Sequence, residues 1–209
     1  MIAVKEFDDT KTGVKGLVDS GITSLPAIFH HPNICLSIPT PTHLSIPIID
    51  MSLPRPVAVD LIHSACRDWG IFQLINHGIP LSIIDNTISV VRSFHELPPS
   101  IRSQYYKREH GAAVKYFSNP DLFLSSVATW KDTLHVSFSP VPPELDQITE
   151  LCRSELVAWD KQAKKVAKEM MGMMCEGLGV GSGRLEELTC LDGTLQEKSQ
   201  IGTVISAQK

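Results

Sequence analysis

No stretch of this chain is apolar for long enough to cross a bilayer: its mostly apolar runs are short, Ile71 to Ile75 among them, against the roughly 20 residues a spanning helix needs. It also lacks a basic stripe or Lys/Arg block. With 19 Lys and Arg against 23 Asp and Glu, the net charge is -4, which argues against nucleic-acid binding. The first residues carry Lys5, Glu6, Asp8 and Asp9 with no apolar core between them, so no secretory signal is expected. No two of the five cysteines, at 35, 66, 152, 175 and 190, have CxxC spacing, and their number is odd. Neither a zinc site nor a disulfide framework is expected, and a reducing, cytoplasmic location fits. There is no internal repeat. Gly177-Leu178-Gly179-Val180-Gly181-Ser182-Gly183 follows a helix pattern and has no Lys-Ser/Thr after it, so it reads as a helix stop and loop rather than a phosphate cradle.

What remains is the pattern of a soluble globular chain, with 43% hydrophobic and 20% charged residues. Residues 1–44 read as an N-terminal extension with a short helix around Asp8 to Asp19. A stretch rich in Pro, His and Ser follows, where prolines 26, 32, 39 and 41 disfavour regular structure. Ser45 to Met51 reads as a strand with Pro47 at its start or edge. Arg55 to Trp69 reads as a helix burying Ala58, Leu61, Ile62, Ala65, Cys66 and Trp69, with Gly70 as its left-handed cap. Ile71 to Ile75 is a strand, Asn76-His77-Gly78 a turn, and Pro80 opens a helix with Ile84, Ile88 and Val91 inward. Pro98-Pro99-Ser100 starts a short helix to Tyr105. Ala113 to Phe117 and Thr133 to Phe138 are strand candidates. A long helix from Pro143 to about Gly177 buries Ile148, Leu151, Leu156, Trp159, Ala163, Val166, Ala167, Met170, Met174 and Leu178. Its Met170, Met171, Met173 and Met174, like Cys66 and Cys175, are expected in core packing. Another helical turn or two spans Gly183 to Cys190. Beyond Leu191 only Ile201 to Ile205 could form a short strand. The fold class is therefore mainly α with a few short β-strands, the first of them expected to lack sheet partners.

Two segments together carry more information than either alone. Ile46-Pro47-Ile48-Ile49-Asp50 and Ala65-Cys66-Arg67-Asp68-Trp69-Gly70-Ile71-Phe72-Gln73-Leu74-Ile75-Asn76-His77-Gly78-Ile79-Pro80 resemble the N-terminal region of plant 2-oxoglutarate/Fe(II)-dependent dioxygenases. Val114 to Leu122, Thr129 to Leu134 and the leader Gly13 to Gly21 resemble the aminocyclopropane-carboxylate-oxidase-homologue branch. The resemblance covers about residues 5–193 and implies a helical N-terminal domain, residues 45–190, that accompanies a double-stranded β-helix (jelly-roll) core.

In the family that core supplies His-x-Asp and a distant His for iron, and Arg-x-Ser for the 2-oxoglutarate carboxylate. Two imidazoles and a carboxylate leave open positions on Fe(II), and a bidentate Arg matches a planar carboxylate. The eight histidines here (30, 31, 43, 63, 77, 95, 110, 135) have no Asp or Glu two residues on, and no Arg-x-Ser occurs. Residues 191–209 read as a divergent tail in place of most of the jelly roll. The expectation is thus an oxidoreductase domain for a small-molecule substrate, inactive as this chain, with no catalytic, cofactor or metal residue of its own. Fe(II) and 2-oxoglutarate, with ascorbate as accessory reductant, belong to the full-length family. The alternative is a non-catalytic module that associates with a relative or other partner through the exposed face of the long helix. The resemblance places Tyr116, Phe117, Asn119, Phe123 and Trp130 on the substrate-side wall. Trp130-Lys131-Asp132 is expected to fix its loop by packing and a local hydrogen bond. His77 reads as a structural turn residue, and His30-His31 as solvated.

Overall fold

The computed structural model describes residues 4–31, 45–109, 111–119 and 122–188. Cys35, Cys190, much of the Pro-rich stretch and the whole of the tail from 191, with its candidate strand, lie outside the described residues. The chain divides into two compact units. Among the described residues, one takes in those up to 31 and those between 85 and 155, the other 45–84 and 156–188.

The second unit is built on a β-α-β arrangement. Strand β1 (Ile48–Asp50) and strand β2 (Gln73–Ile75) run parallel with Ile49 opposite Leu74, so these strands are each other's partners and not orphans as the sequence suggests. Parallel neighbours need a crossover, and helix α3 (Arg55–Asp68) provides it. Pro47 stands just before β1 and offers its carbonyl to Gln73 N–H at 2.8 Å, a position where its missing donor costs nothing. Ala58, Val59, Ile62 and Ala65 are buried against Ile49, with Phe72 and Leu74 packed beside them. Burial of a side chain such as Ile62 stabilises by about 2–3 kcal/mol. The buried stripe is rotated from the expected one. Leu61 and Trp69 are exposed, and so is Cys66, which is therefore not a core residue. The 58/62/65 ridge suffices to cover a sheet only two strands wide. Gly70 caps α3 with φ 68° and donates its N–H to the Ala65 carbonyl.

Helix α4 (Leu81–His95) follows Pro80 and contributes to the first unit from residue 85. There it buries Thr87, Val91, Phe94 and His95. The leader is two helices, not one: α1 (Val4–Asp9) and α2 (Gly13–Asp19) are separated where Lys11 and Gly13 take positive φ. Phe7, Val14 and Leu17 from this pair enclose a small core with Phe29 and Leu122. Helix α5 (Pro99–Arg102) continues as a 3-10 turn to Tyr105. Strands β3 (Val114–Ser118) and β4 (Asp132–Val136) pair antiparallel, Tyr116 opposite Leu134.

Helix α6 runs Glu150–Gly177, starting seven residues later than the prolines predict. Before it, Leu145–Gln147 forms a 3-10 turn and Ile148 is extended, which drops the Ile148 side chain into the core. Within the second unit, Met171, Met173 and Cys175 are buried as expected for packing methionines and a core thiol. Leu151 and Leu178, assigned to the buried side, are exposed. The glycine-rich segment ends α6 and leads into α7 (Arg184–Glu187), as a helix stop should.

Candidate functional site

The richest concentration of buried polar groups lies in the first unit, around Asp132. This residue opens β4 opposite Ser118 and is almost fully buried. Its Oδ1 accepts the Val14 N–H and its Oδ2 the Lys15 N–H, each at 2.9 Å. These are first-turn donors of α2 that no intrahelical carbonyl can satisfy, and Thr12 at the cap position makes no side-chain bond to them. A carboxylate from a distant strand thus caps the helix and opposes its positive dipole end. Gly13 is required at this point. A Cβ there would run into the Asp132 carboxylate and the Tyr116 hydroxyl, and φ is +68° besides.

Tyr116 projects from β3 to the same carboxylate. Its hydroxyl is 2.9 Å from Asp132 Oδ2 and 3.1 Å from the Thr12 carbonyl, with the Arg102 Nη1 donating to it at 3.3 Å. Burial, reinforced by the Asp132 charge, pushes its ionisation far up, so Tyr116 is a permanent hydrogen-bond donor. Arg102 itself is 0% exposed. It reaches Asp19 at 3.4 Å, and Asp19 pairs with Lys15, which also meets Glu96 at 3.2 Å. His95 joins the cluster edge-on to Tyr116 and Phe94, with ring centres 5.9 and 5.5 Å away. Burial holds its imidazole below the usual range, opposed by Asp132 and aided by Arg102. A second carboxylate anchors α1: Asp8 accepts from the Tyr106 hydroxyl and from Arg108 Nε. The site therefore fastens a leader to a hairpin with charge-assisted bonds, which are shorter and stronger than neutral ones.

The five expected wall residues fall in different surroundings. Tyr116 is interior, in the network just described. Asn119 is also buried, at φ 56°, and its Oδ1 accepts from the backbone and hydroxyl of Thr129, closing the loop between β3 and β4. Phe117 points to the other face of β3, with the Lys115 ammonium 5.4 Å from its ring. Phe123 is 60% exposed under the Arg108 guanidinium, and Trp130 is 40% exposed with its ring 4.9 Å from Phe29. Asp132 does not act locally as expected. Its partners are the Val14 and Lys15 amides, 118 and 117 residues away, and the Tyr116 hydroxyl on the neighbouring strand. Arg102 and Arg108 escape sequence reasoning because nothing in a short helix after Pro98-Pro99, or in a polar loop, signals burial, and His95 and Asp8 because they sit near the ends of helices as polar residues outside the apolar stripe.

Among the described residues no three His, Cys, Asp or Glu side chains stand together as a metal site. His77 Nδ1 accepts the Ile79 N–H at 3.1 Å within its turn, and His30 Nε2 lies 2.9 Å from the Leu25 carbonyl. The Arg55 guanidinium is committed to Glu176. The described donor set does not fit Fe(II) with 2-oxoglutarate. Among the described residues no helix is long and apolar enough to cross a membrane.

The solved structure of JOX2 in complex with 2OG, Fe and JA aligns with a TM-score of 0.68 at 24% identity, over 84% of this chain and 51% of that one. The auxin-oxidation dioxygenase AtDAO1 of Arabidopsis thaliana, with 2-oxoglutarate, gives 0.51 at 21%, over 65% of this chain and 51% of its own. Both likenesses concern the fold. The family described as "non-haem dioxygenase in morphine synthesis N-terminal" matches residues 46–155, just over half of the 209. The chain belongs to this family, within the plant 2-oxoglutarate/Fe(II) dioxygenases and their aminocyclopropane-carboxylate-oxidase-homologue branch. It is 38% identical to 1-aminocyclopropane-1-carboxylate oxidase homolog 2 of Arabidopsis thaliana over 203 residues, 91% of this chain and 55% of that protein. A homolog from Solanum lycopersicum is 39% identical over 195 residues, 90% of this chain and 54% of its own. The chain spans about half the length of the curated relatives it matches.

Proposed function

We propose that this chain forms the N-terminal domain of an Fe(II)- and 2-oxoglutarate-dependent oxidoreductase acting on a small metabolite, and that these 209 residues alone turn over no 2-oxoglutarate. The observation that carries the reading is the family match over residues 46–155 beside a sequence without His-x-Asp or Arg-x-Ser. When bound in such an enzyme, iron and 2-oxoglutarate supply the oxidising power. This chain's contribution is shape: the Asp132 and Asn119 bonds fix the β3–β4 hairpin and its loop. On this reading Phe117, Phe123 and Trp130 offer apolar surface to substrate, while Tyr116 and Asn119 act from behind as positioning residues. The test is to incubate the purified chain with Fe(II), ascorbate and 2-oxoglutarate and follow succinate. None is expected above a protein-free control, and turnover abolished by a chelator would overturn the proposal.

A second reading is association with a full-length relative through α6, where Leu151 and Val157 are exposed apolar side chains, with Leu178 just past its end. Sedimentation of the chain at rising concentration would show self-association or mixed complexes if this face binds protein. A monomer that stays monomeric beside a relative would count against it.

A further inference from the structure

We propose that His95 is an acid-sensitive latch: protonation of its buried ring undocks helix α2 from the β3–β4 hairpin. His95 is 6% exposed, and its Nε2 is buried with no hydrogen-bond partner among the described residues. Aromatic groups flank it, Phe94 on its own helix and Tyr116 on β3. The charged groups that face it are Asp132 from β4, Arg102 from α5, and Glu96 beside it. An imidazolium in that place requires an acceptor or water for its second N–H. Neither carboxylate is idle. Asp132 holds the two α2 amides and the Tyr116 hydroxyl, and Glu96 holds Lys15 of α2. Arg102, fully buried, repels a second cation. Whichever acceptor turns to the charged ring leaves α2, and water can reach the ring only if the cluster opens. Acid therefore acts on α2 from both sides, through its cap and through its first-turn lysine.

The direction follows from burial of the neutral ring. Closed α2 keeps His95 unprotonated, whereas the undocked form exposes an ordinary imidazole that takes up a proton. Undocking is thus favoured as pH falls below the ordinary histidine range, by up to about tenfold per pH unit for one proton.

The experiment is amide hydrogen exchange on the full chain between about pH 7.5 and 5.5, with intrinsic rates divided out, reading Val14 and Lys15 against α3 amides near Ile62. Protection of α2 is expected to fall with acid while α3 holds, and His95→Gln, which cannot charge, is expected to flatten the α2 response. The latch is overturned if α2 protection does not change with pH, if it falls in step with α3, or if His95→Gln responds as the parent does. Should that variant fail to fold, NMR titration of the His95 ring in the parent decides. A His95 midpoint below the ordinary value that coincides with loss of α2 protection supports the latch. Titration at the ordinary value with α2 still protected overturns it.

Discussion

Asp132 caps Val14 across 118 residues of sequence, accepting its N–H at 2.9 Å while the other carboxylate oxygen takes Lys15. The helix so capped is only seven residues long, too short to persist alone. Its place in the fold depends on what holds its first turn.

Asp132→Ala should therefore destabilise the chain by about 3 kcal/mol, because it strands two helix amides at once and leaves the buried Tyr116 hydroxyl only the Thr12 carbonyl as acceptor. Asp132→Asn keeps one acceptor oxygen but turns an NH2 toward donors, and should cost about half as much. Urea denaturation followed by far-ultraviolet circular dichroism measures both, with the order Ala worse than Asn as the informative result.

Gly13→Ala tests the same contact from the helix side. The added methyl meets the Asp132 carboxylate and Tyr116 hydroxyl in addition to the φ of +68°, so a loss of about 2 kcal/mol or more is expected. Gly21 has φ +74° but open space around it. Gly21→Ala should thus cost only about 1 kcal/mol. Equal effects in paired urea titrations would mean that the close approach at Gly13 does not matter.

His135 gives a second acid response, separate from that of His95. It lies directly opposite Lys115 across the hairpin. Burial first, and the lysine charge second, hold its imidazole below the usual range. The folded state then binds fewer protons than the unfolded one. Stability is complete above the ordinary histidine value of about 6.5 and declines as pH falls through it, levelling off below the depressed folded value. His135→Gln should shallow the fall in unfolding free energy between about pH 7.5 and 5.5. An unchanged slope would show that neither burial of this ring nor the Lys115 charge contributes to the acid response.

The thiols should separate by burial. Cys66 is exposed, whereas Cys152 is buried and donates to the Val90 carbonyl at 3.3 Å. Burial, with Glu155 adding to it, pushes the Cys152 thiol up to about 12, so almost no thiolate forms near neutral pH. Iodoacetamide at about pH 8 should label Cys66 and spare Cys152 in the native protein, and label both in denaturant. Peptide mass spectrometry reads each site separately.

The sequence by itself determined the elements whose signals are local. Pro80 and the 84/88/91 spacing define the second main helix, Gly70 marks the end of the first, and the alternation around Val114 and Thr133 defines two strands. It also determined the family, because "DWGIFQLINHGIP" and its neighbours keep their order along the chain. Only the tertiary structure decided which side of α3 is buried, since 3.6-residue periodicity allows either of two adjacent stripes and the narrow β1–β2 sheet takes one. It decided that β1 and β2 pair with each other, and that Ile148 leaves the helix register to enter the core. It alone made Asp132 a helix cap, Arg102 an interior cation and Tyr116 a hydrogen-bonded interior post. Those roles depend on partners about a hundred residues away in the chain. A short polar residue looks the same in sequence whether it faces water or a desolvated amide.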